Sequence, residues 1–319
     1  MKNPAYSPSY FIHALRRVGL GVLSFGALVS TILLIPCPLA QAQGSGTIYV
    51  SDYQGAEVQS FPIDGGSGIT FMGITNATGL AFDAAGNLFM VSSTYLDPNG
   101  VVIYKSLGGT QTPQPWYTRD ANHLLGGAHG IVFDRKGNMF IATSSGNTLM
   151  KLQVKPNGAP GLLSTFADGS VLVRPFSVAL DSKGNVFVTD GFGDGSGHNN
   201  GKGTIVKFNP SGTMHQVFAP TFTGFNVPWG LAIDGSDNVY ISNNYGNAII
   251  KFNPDGTLSS DTFSSTNLDG PLGLAFDGTG TLYVANRFSD NIWKFSPTGT
   301  DLGEFAETGL RPHFLLFHP

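Results

Sequence analysis

Cysteine is almost missing from this chain of 319 residues: the one Cys is Cys37. No intrachain disulfide can form, so stability rests on packing alone. Charge is sparse as well, at 12% Asp, Glu, Lys and Arg, with a formal net charge of −4. No Lys/Arg cluster follows residue 17, which argues against nucleic acid as a partner, because neutralising phosphates needs a basic face. The sequence has no His-Glu-x-x-His, no phosphate loop ending in Gly-Lys-Ser/Thr and no Gly-x-Ser-x-Gly elbow. The common signatures of zinc peptidases, nucleotide hydrolases and serine esterases are therefore absent. Nothing in the sequence calls for a cofactor.

Glycine is plentiful at 43 residues, and 24 Phe outnumber 3 Trp and 10 Tyr. Many short aromatic-rich runs punctuated by glycine predict an all-β chain of tight turns. The first 42 residues differ in character. Lys2, Arg16 and Arg17 precede an apolar run from Val18 to Pro36, and Ala40-Gln41-Ala42 forms a small-x-small cleavage site. This predicts a signal peptide over 1–42, cleavage after Ala42, and a secreted or periplasmic chain over 43–319 with no membrane contact after cleavage. An uncleaved N-terminal anchor is the alternative. Cleavage removes three cations and no acid, taking the charge to −7.

One phrase recurs through the remainder. Its copies are Gly79-Leu80-Ala81-Phe82-Asp83, Gly130-Ile131-Val132-Phe133-Asp134, Ser177-Val178-Ala179-Leu180-Asp181, Gly230-Leu231-Ala232-Ile233-Asp234 and Gly273-Leu274-Ala275-Phe276-Asp277. The Asp residues are 51, 47, 53 and 43 positions apart, a period typical of stacked or radial units. Each Asp opens a turn with Gly or Asp at its fourth place, such as Asp134-Arg135-Lys136-Gly137-Asn138. The Asp side chain bonds the backbone two residues on, and the fourth residue tolerates a left-handed conformation. These aspartates therefore have a structural job. A second strand follows, apolar on both faces, as in Leu282-Tyr283-Val284-Ala285. A third carries Lys207, Lys251 or Lys294 on a wetter face, and a fourth is more polar. Four such strands make one propeller blade.

The mature start, Gly46 to Asp52, matches a second strand with no first strand before it. The end, Pro312 to Pro319, matches a first strand with nothing after it. Joining them predicts a six-bladed β-propeller of four-stranded antiparallel blades, closed by one C-terminal plus three N-terminal strands. Closure removes the exposed sheet edge. Phe276→Ala is expected to cost about 3–5 kcal/mol if that side chain is fully buried.

The phrases at Gly230 and Gly273 resemble the NHL-repeat signature, Pro-x-Gly-Ile/Leu-Ala-Val-Asp, then Gly-Asn, then a Tyr-Val-Ala-Asp-like strand. The resemblance covers the mature chain and implies a six-bladed propeller, though such propellers serve many functions. No Gly-His…Trp-Asp pattern of WD40 blades is present.

In propellers, the loops entering the innermost strands open on the same face as those linking the second and third strands. Thr78, His129, Phe176, Trp229, Leu272 and His313 stand where the channel mouth is expected. The second strands end in a polar set, Asp52, Ser92, Thr143, Asp190, Asn243 and Asn286, either turn caps or ligand contacts. Arg174 and Arg311 precede mouth positions and suit an anionic ligand or neighbouring carbonyls. The long segments Ser92 to Asn99, Thr118 to Ala128 and Asp190 to Gly203 are expected on this face. The last has aspartates at calcium-loop spacing but lacks the terminal Glu, so a Gly-rich loop competes with a calcium site.

Two families related by resemblance bear on the chemistry. Gluconolactonase-like propellers hold a divalent cation with Glu, Asn and Asp, which this chain lacks at the mouth. The peptide-amidating lyase resembles it in Val186 to Gly193 and Phe225 to Pro228 and places three histidines around a metal. Here His129 and His313 occupy two such places, and Trp229 occupies the third. A divalent metal, zinc or calcium, at His129 and His313 is one expectation; packed channel histidines are the other. The preferred reading is a monomeric binding module taking a protein, peptide, glycan or small molecule through His129, Arg174, Phe176, Asp190, Trp229, Asn243, Asn286, Arg311 and His313. The alternative is a metal-assisted lyase or hydrolase.

Overall fold

A computed structural model describes residues 46–54, 57–65, 68–74, 76–93, 101–108, 112–118, 125–309 and 311–319. The expected leader with Cys37, and most of the expected loops after Ser92 and Thr118, lie outside the described residues. Apart from turns and loops and the short 3-10 turn Asn244–Gly246, the described chain is strand. One sheet joins β1 (Thr47–Asp52), β2 (Glu57–Pro62) and β3 (Ile69–Gly73) to the last strand, β24 (Pro312–His318), in the order β24-β1-β2-β3. The second blade holds β4 (Ala77–Phe82), β5 (Leu88–Ser92), β6 (Val101–Ser106) and β7 (Gln114–Thr118). The third holds β8 (Ala128–Phe133), β9 (Met139–Thr143), β10 (Thr148–Val154) and β11 (Pro160–Ala167). The fourth holds β12 (Pro175–Leu180), β13 (Val186–Asp190), β14 (Thr204–Phe208) and β15 (His215–Val217). The fifth holds β16 (Pro228–Ile233), β17 (Val239–Asn243), β18 (Ala248–Phe252) and β19 (Leu258–Ser264), and the sixth β20 (Pro271–Phe276), β21 (Leu282–Asn286), β22 (Asn291–Phe295) and β23 (Asp301–Glu307).

The innermost strands meet in a closed circuit, β24 to β4, β8, β12, β16, β20 and back to β24. This is the six-bladed propeller that the repeats predict. The closing register pairs Ile48 with Phe317, Tyr49 with Leu316, Val50 with Leu315 and Ser51 with Phe314. Every residue of β5, β9, β13, β17 and β21 is buried, because each second strand is covered by the blades on both sides. Between blades lie the larger rings, with Phe89, Phe140, Phe187, Phe208, Phe252 and Phe295 all but inaccessible.

The repeated Asp turns are built as expected. The Oδ1 of Asp134 accepts the Lys136 and Asn138 amides at 2.9 and 2.8 Å, and its Oδ2 accepts Asn138 Nδ2 at 2.8 Å. Gly137 sits at φ +79°, the left-handed region that such a turn demands. The outer oxygen of each Asp has one further partner. In blades two to four it is a lysine, with Lys105–Asp83, Lys151–Asp134 and Lys207–Asp181 at 3.7, 3.2 and 3.8 Å. In blades five and six a tyrosine replaces the Phe of the second strand, and Tyr240 and Tyr283 donate to Asp234 and Asp277 at 3.2 and 3.3 Å. Burial first, and the carboxylate second, push both phenols above their ordinary pKa.

Around the channel the strands approach too closely for side chains. A Cβ on Gly230 would lie 1.9 Å from the Leu272 carbonyl oxygen, and one on Gly79 would lie 2.0 Å from that of His129. The innermost strands carry a register shift just ahead of this point, which frees a backbone amide. A hydroxyl on the second strand satisfies it. Ser242 Oγ accepts the Gly230 amide and donates to the Leu272 carbonyl of the next blade, both at 2.7 Å. Thr189 Oγ1 does the same for the Ser177 amide at 3.0 Å and the Trp229 carbonyl at 2.6 Å. Ser51 takes the Phe314 amide at 3.0 Å. Phe276 does not meet the condition for that cost: it is only half-buried, because the innermost strands end at the far opening of the channel, where Phe276 meets Tyr240 edge-on at 4.8 Å.

Candidate functional site

The second residue of each innermost strand faces the channel mouth, and four of the six form one aromatic cluster. Trp229 stacks on Phe176 with centroids 3.7 Å apart and planes at 10°. His129 meets both edge-on, at 5.4 Å from Phe176 and 5.8 Å from Trp229. His313 stacks on His129 at 5.8 Å and meets Trp229 edge-on at 5.3 Å. His313, His129 and Trp229 come from alternate blades, and Phe176 fills the gap between two of them. The other two positions take no part: Thr78 Oγ1 donates to the Ala128 carbonyl at 3.0 Å, and Leu272 is fully buried.

Three nitrogens of this cluster, His129 Nδ1, His313 Nδ1 and Trp229 Nε1, are buried without a hydrogen-bond partner. An orphaned buried polar atom costs about 1–3 kcal/mol. The other two indoles are satisfied, Trp116 by the Gly158 carbonyl at 2.9 Å and Trp293 by Asp301 at 2.7 Å. Burial, and then the Arg174 charge, lower the His129 pKa to about 4. Burial, then His129 and Arg287, carry that of His313 well below its usual value. Both imidazoles are neutral at pH 7, and the charge at the mouth is that of arginine.

Arg174 is exposed and lies over the Phe192 ring at 5.1 Å. Arg311 is exposed beside His313, and its carbonyl accepts the Tyr53 amide at 3.4 Å. Arg287, which sequence reasoning missed, is half-buried and lies over Phe288 at 5.4 Å. None of the three has an ion pair among the described residues. Aromatic residues on the loops after the second strands add a collar: Phe192, Tyr53 stacked on His313 at 5.4 Å, and the exposed Tyr245 and Phe288. The signal was available, since each follows the polar end of a second strand by one or two residues.

Asp190, Asn243 and Asn286 are buried and committed to the loops. Asp190 accepts the Val173 and Arg174 amides at 3.0 and 2.8 Å, while desolvation raises its pKa. Asn243 accepts the Asn226 amide at 2.6 Å and donates to the Gly224 carbonyl at 3.0 Å. Asn286 likewise bonds the Asp269 amide at 3.2 Å and the Asn267 carbonyl at 2.9 Å. Each ties down the loop that delivers a mouth residue. Val227, two residues ahead of Trp229, is held at φ +57°, a region costing a β-branched residue about 1–3 kcal/mol. In the Gly-rich loop, Asp194 accepts from Ser196 Oγ and N at 2.6 and 2.8 Å, so its carboxylate closes a local turn. Among the described residues no group of three His, Cys, Asp or Glu is placed to share a metal ion. His129 and His313 supply two nitrogens, and the third side chain of their set is an indole, which does not complete a zinc site.

No protein-family model matches the chain, and no curated protein does. Solved structures do match in fold. A chain of a nidogen/laminin complex superposes with a TM-score of 0.68 at 18% identity, covering 86% of this chain and 98% of that one. A gluconolactonase from Xanthomonas campestris gives 0.59 at 16%, covering 86% and 91%. A virginiamycin B lyase from Staphylococcus aureus gives 0.57 at 16%, covering 86% and 89%. At these identities the likeness is one of fold, and that fold serves both binding proteins and enzymes.

Proposed function

We propose that this protein is an exported binding module whose loop-bearing face takes a protein, peptide, glycan or small molecule presenting an acceptor oxygen, a carboxylate above all, to the channel mouth. The observation that carries this reading is the set of three unpartnered ring nitrogens in a stacked aromatic floor. The indole N–H is a donor, and a neutral imidazole donates from Nδ1 in one tautomer. A ligand oxygen relieves what the free protein leaves unsatisfied. Arg174, Arg287 and Arg311 favour negative charge there. The buried carboxylate of Asp190 is already spent on the Val173 and Arg174 amides. The chain works as a monomer, its sheets being closed into a ring.

Glycan and peptide arrays probed with wild type, Trp229→Ala and Arg174→Ala test this. The expected result is an anionic ligand set bound by the wild type and lost by both variants; a set unchanged by either overturns the reading. Export is tested separately by N-terminal sequencing of protein recovered outside the cytoplasm, which should begin at Gln43.

The pair of neutral imidazoles supports a second reading, a metal-assisted lyase or hydrolase at the mouth. It needs ligands beyond His129 and His313. Metal content of the purified protein and of His129→Ala, with turnover of lactone substrates, decides it. Stoichiometric zinc lost in the variant favours the enzyme.

A further inference from the structure

The opposite face of the ring carries a recess. The Asp hairpins turn there, and a cleft of about 690 Å³ opens across the third, fourth and fifth blades. That volume is in the range of small-molecule sites. Its floor is apolar, formed by Phe133, Phe140, Leu180, Ile233 and Pro210. Phe133, Leu180 and Ile233 end their innermost strands and stay partly open to solvent.

The rim is basic at two hairpins only. The two residues after the Asp are Arg135-Lys136 in the third blade and Ser182-Lys183 in the fourth, and all three cations line the cleft. The same places elsewhere hold Ala84-Ala85, Gly235-Ser236 and Gly278-Thr279. Arg135, Lys136 and Lys183 are exposed and have no ion pair among the described residues, whereas Lys151 in the same lining is held by Asp134 at 3.2 Å. The lining carboxylates are engaged: Asp134 by Asn138 and Lys151, Asp181 by Asn185 and Lys207, Asp234 by Asn238 and Tyr240, and Asp237 by Ser182. Asp237 is the competing charge nearest in kind, since Lys183 contributes to lowering its pKa after the two Ser182 bonds.

We propose that this cleft binds a small amphiphilic anion, an aromatic or branched aliphatic carboxylate. Its apolar body lies on Phe133, Leu180 and Ile233, and its carboxylate reaches Arg135, Lys136 and Lys183. Uncommitted cations beside an uncovered apolar floor are the complement of that ligand: the floor supplies burial and the rim supplies charge-assisted hydrogen bonds. The site is separate from the channel mouth, and its existence does not depend on what the mouth binds.

The test titrates naphthalene-1-carboxylate into the purified protein by calorimetry, with neutral naphthalene-1-methanol as control. The carboxylate should bind in the sub-millimolar range and weaken with salt, and the alcohol should bind about tenfold more weakly or not at all. Arg135→Glu with Lys183→Glu should weaken the carboxylate by about tenfold or more. In Arg174→Glu, which disables the mouth on the other face, a carboxylate site that still depends on Arg135 and Lys183 should remain. Should the double reversal fail to fold, Arg135→Gln with Lys183→Gln carries the same expectation. The absence of binding at millimolar carboxylate, equal binding of the alcohol, insensitivity to the rim variants, or loss in Arg174→Glu would overturn the proposal.

Discussion

Ser242 is the most economical place to test how the blades are joined. Its hydroxyl is wholly buried, accepts the Gly230 amide and donates to the Leu272 carbonyl, both at 2.7 Å. Ser242→Ala removes both bonds at once. The Gly230 amide sits at the register shift, and the replacement methyl leaves no protein group to take its place. Each orphaned group costs about 1–3 kcal/mol, so we expect a loss of about 2–4 kcal/mol. For a chain of this size that is roughly 3–7 °C in melting temperature. Ser242→Thr should be nearly neutral, because Thr189 performs the same double role one blade earlier. The assay is equilibrium urea unfolding of the two variants beside wild type, with equal slopes required. If Ser242→Ala loses less than about 0.5 kcal/mol, or if Ser242→Thr loses as much as Ala, the hydroxyl bridge is not what ties these blades together.

Deleting Phe314 to Pro319 should abolish folding or cause aggregation, because it strips the partner from β1 and exposes an edge; unchanged melting would refute this. The low pKa values of the mouth histidines predict acid sensitivity. A histidine near pKa 4 in the folded chain and 6.5 when unfolded makes the unfolded state bind more protons between those values. Stability should therefore fall as pH drops from about 6.5 towards 4, by on the order of 3 kcal/mol for His129, with Arg174 and Arg287 opposing protonation. His129→Gln should flatten this pH profile, and an unchanged slope would contradict it. Tyr240→Phe should cost no more than about 1 kcal/mol, since blades two to four already pair a second-strand Phe with a lysine–Asp contact; unfolding midpoints check this.

The ring was legible in the sequence because its signals are local and repeated. Each Asp turn states its own hairpin, and the matching of Pro312–His318 to the other innermost strands named the closing pair. The mouth was legible in part, for the same reason: His129, Phe176, Trp229 and His313 stand at one place in the repeat, and the ring brings them together. Arg287, Tyr53 and Phe192 sit just after the polar ends of their second strands, but the residue type there changes from blade to blade, so no repeated letter marks them. The roles of Asp190, Asn243 and Asn286 were left between cap and ligand contact, since only coordinates reveal which amides they meet. The rim of the far cleft was hidden by distance: Arg135 and Lys183 make no cluster along the chain and become neighbours only through blade packing.

The pairing of β24 with β1 ties residues 263 positions apart. Neither β1 nor β24 can fray by itself, since loosening one strips the backbone partners of the other. Opening this molecule therefore begins with a break in the circle rather than with the peeling of an end.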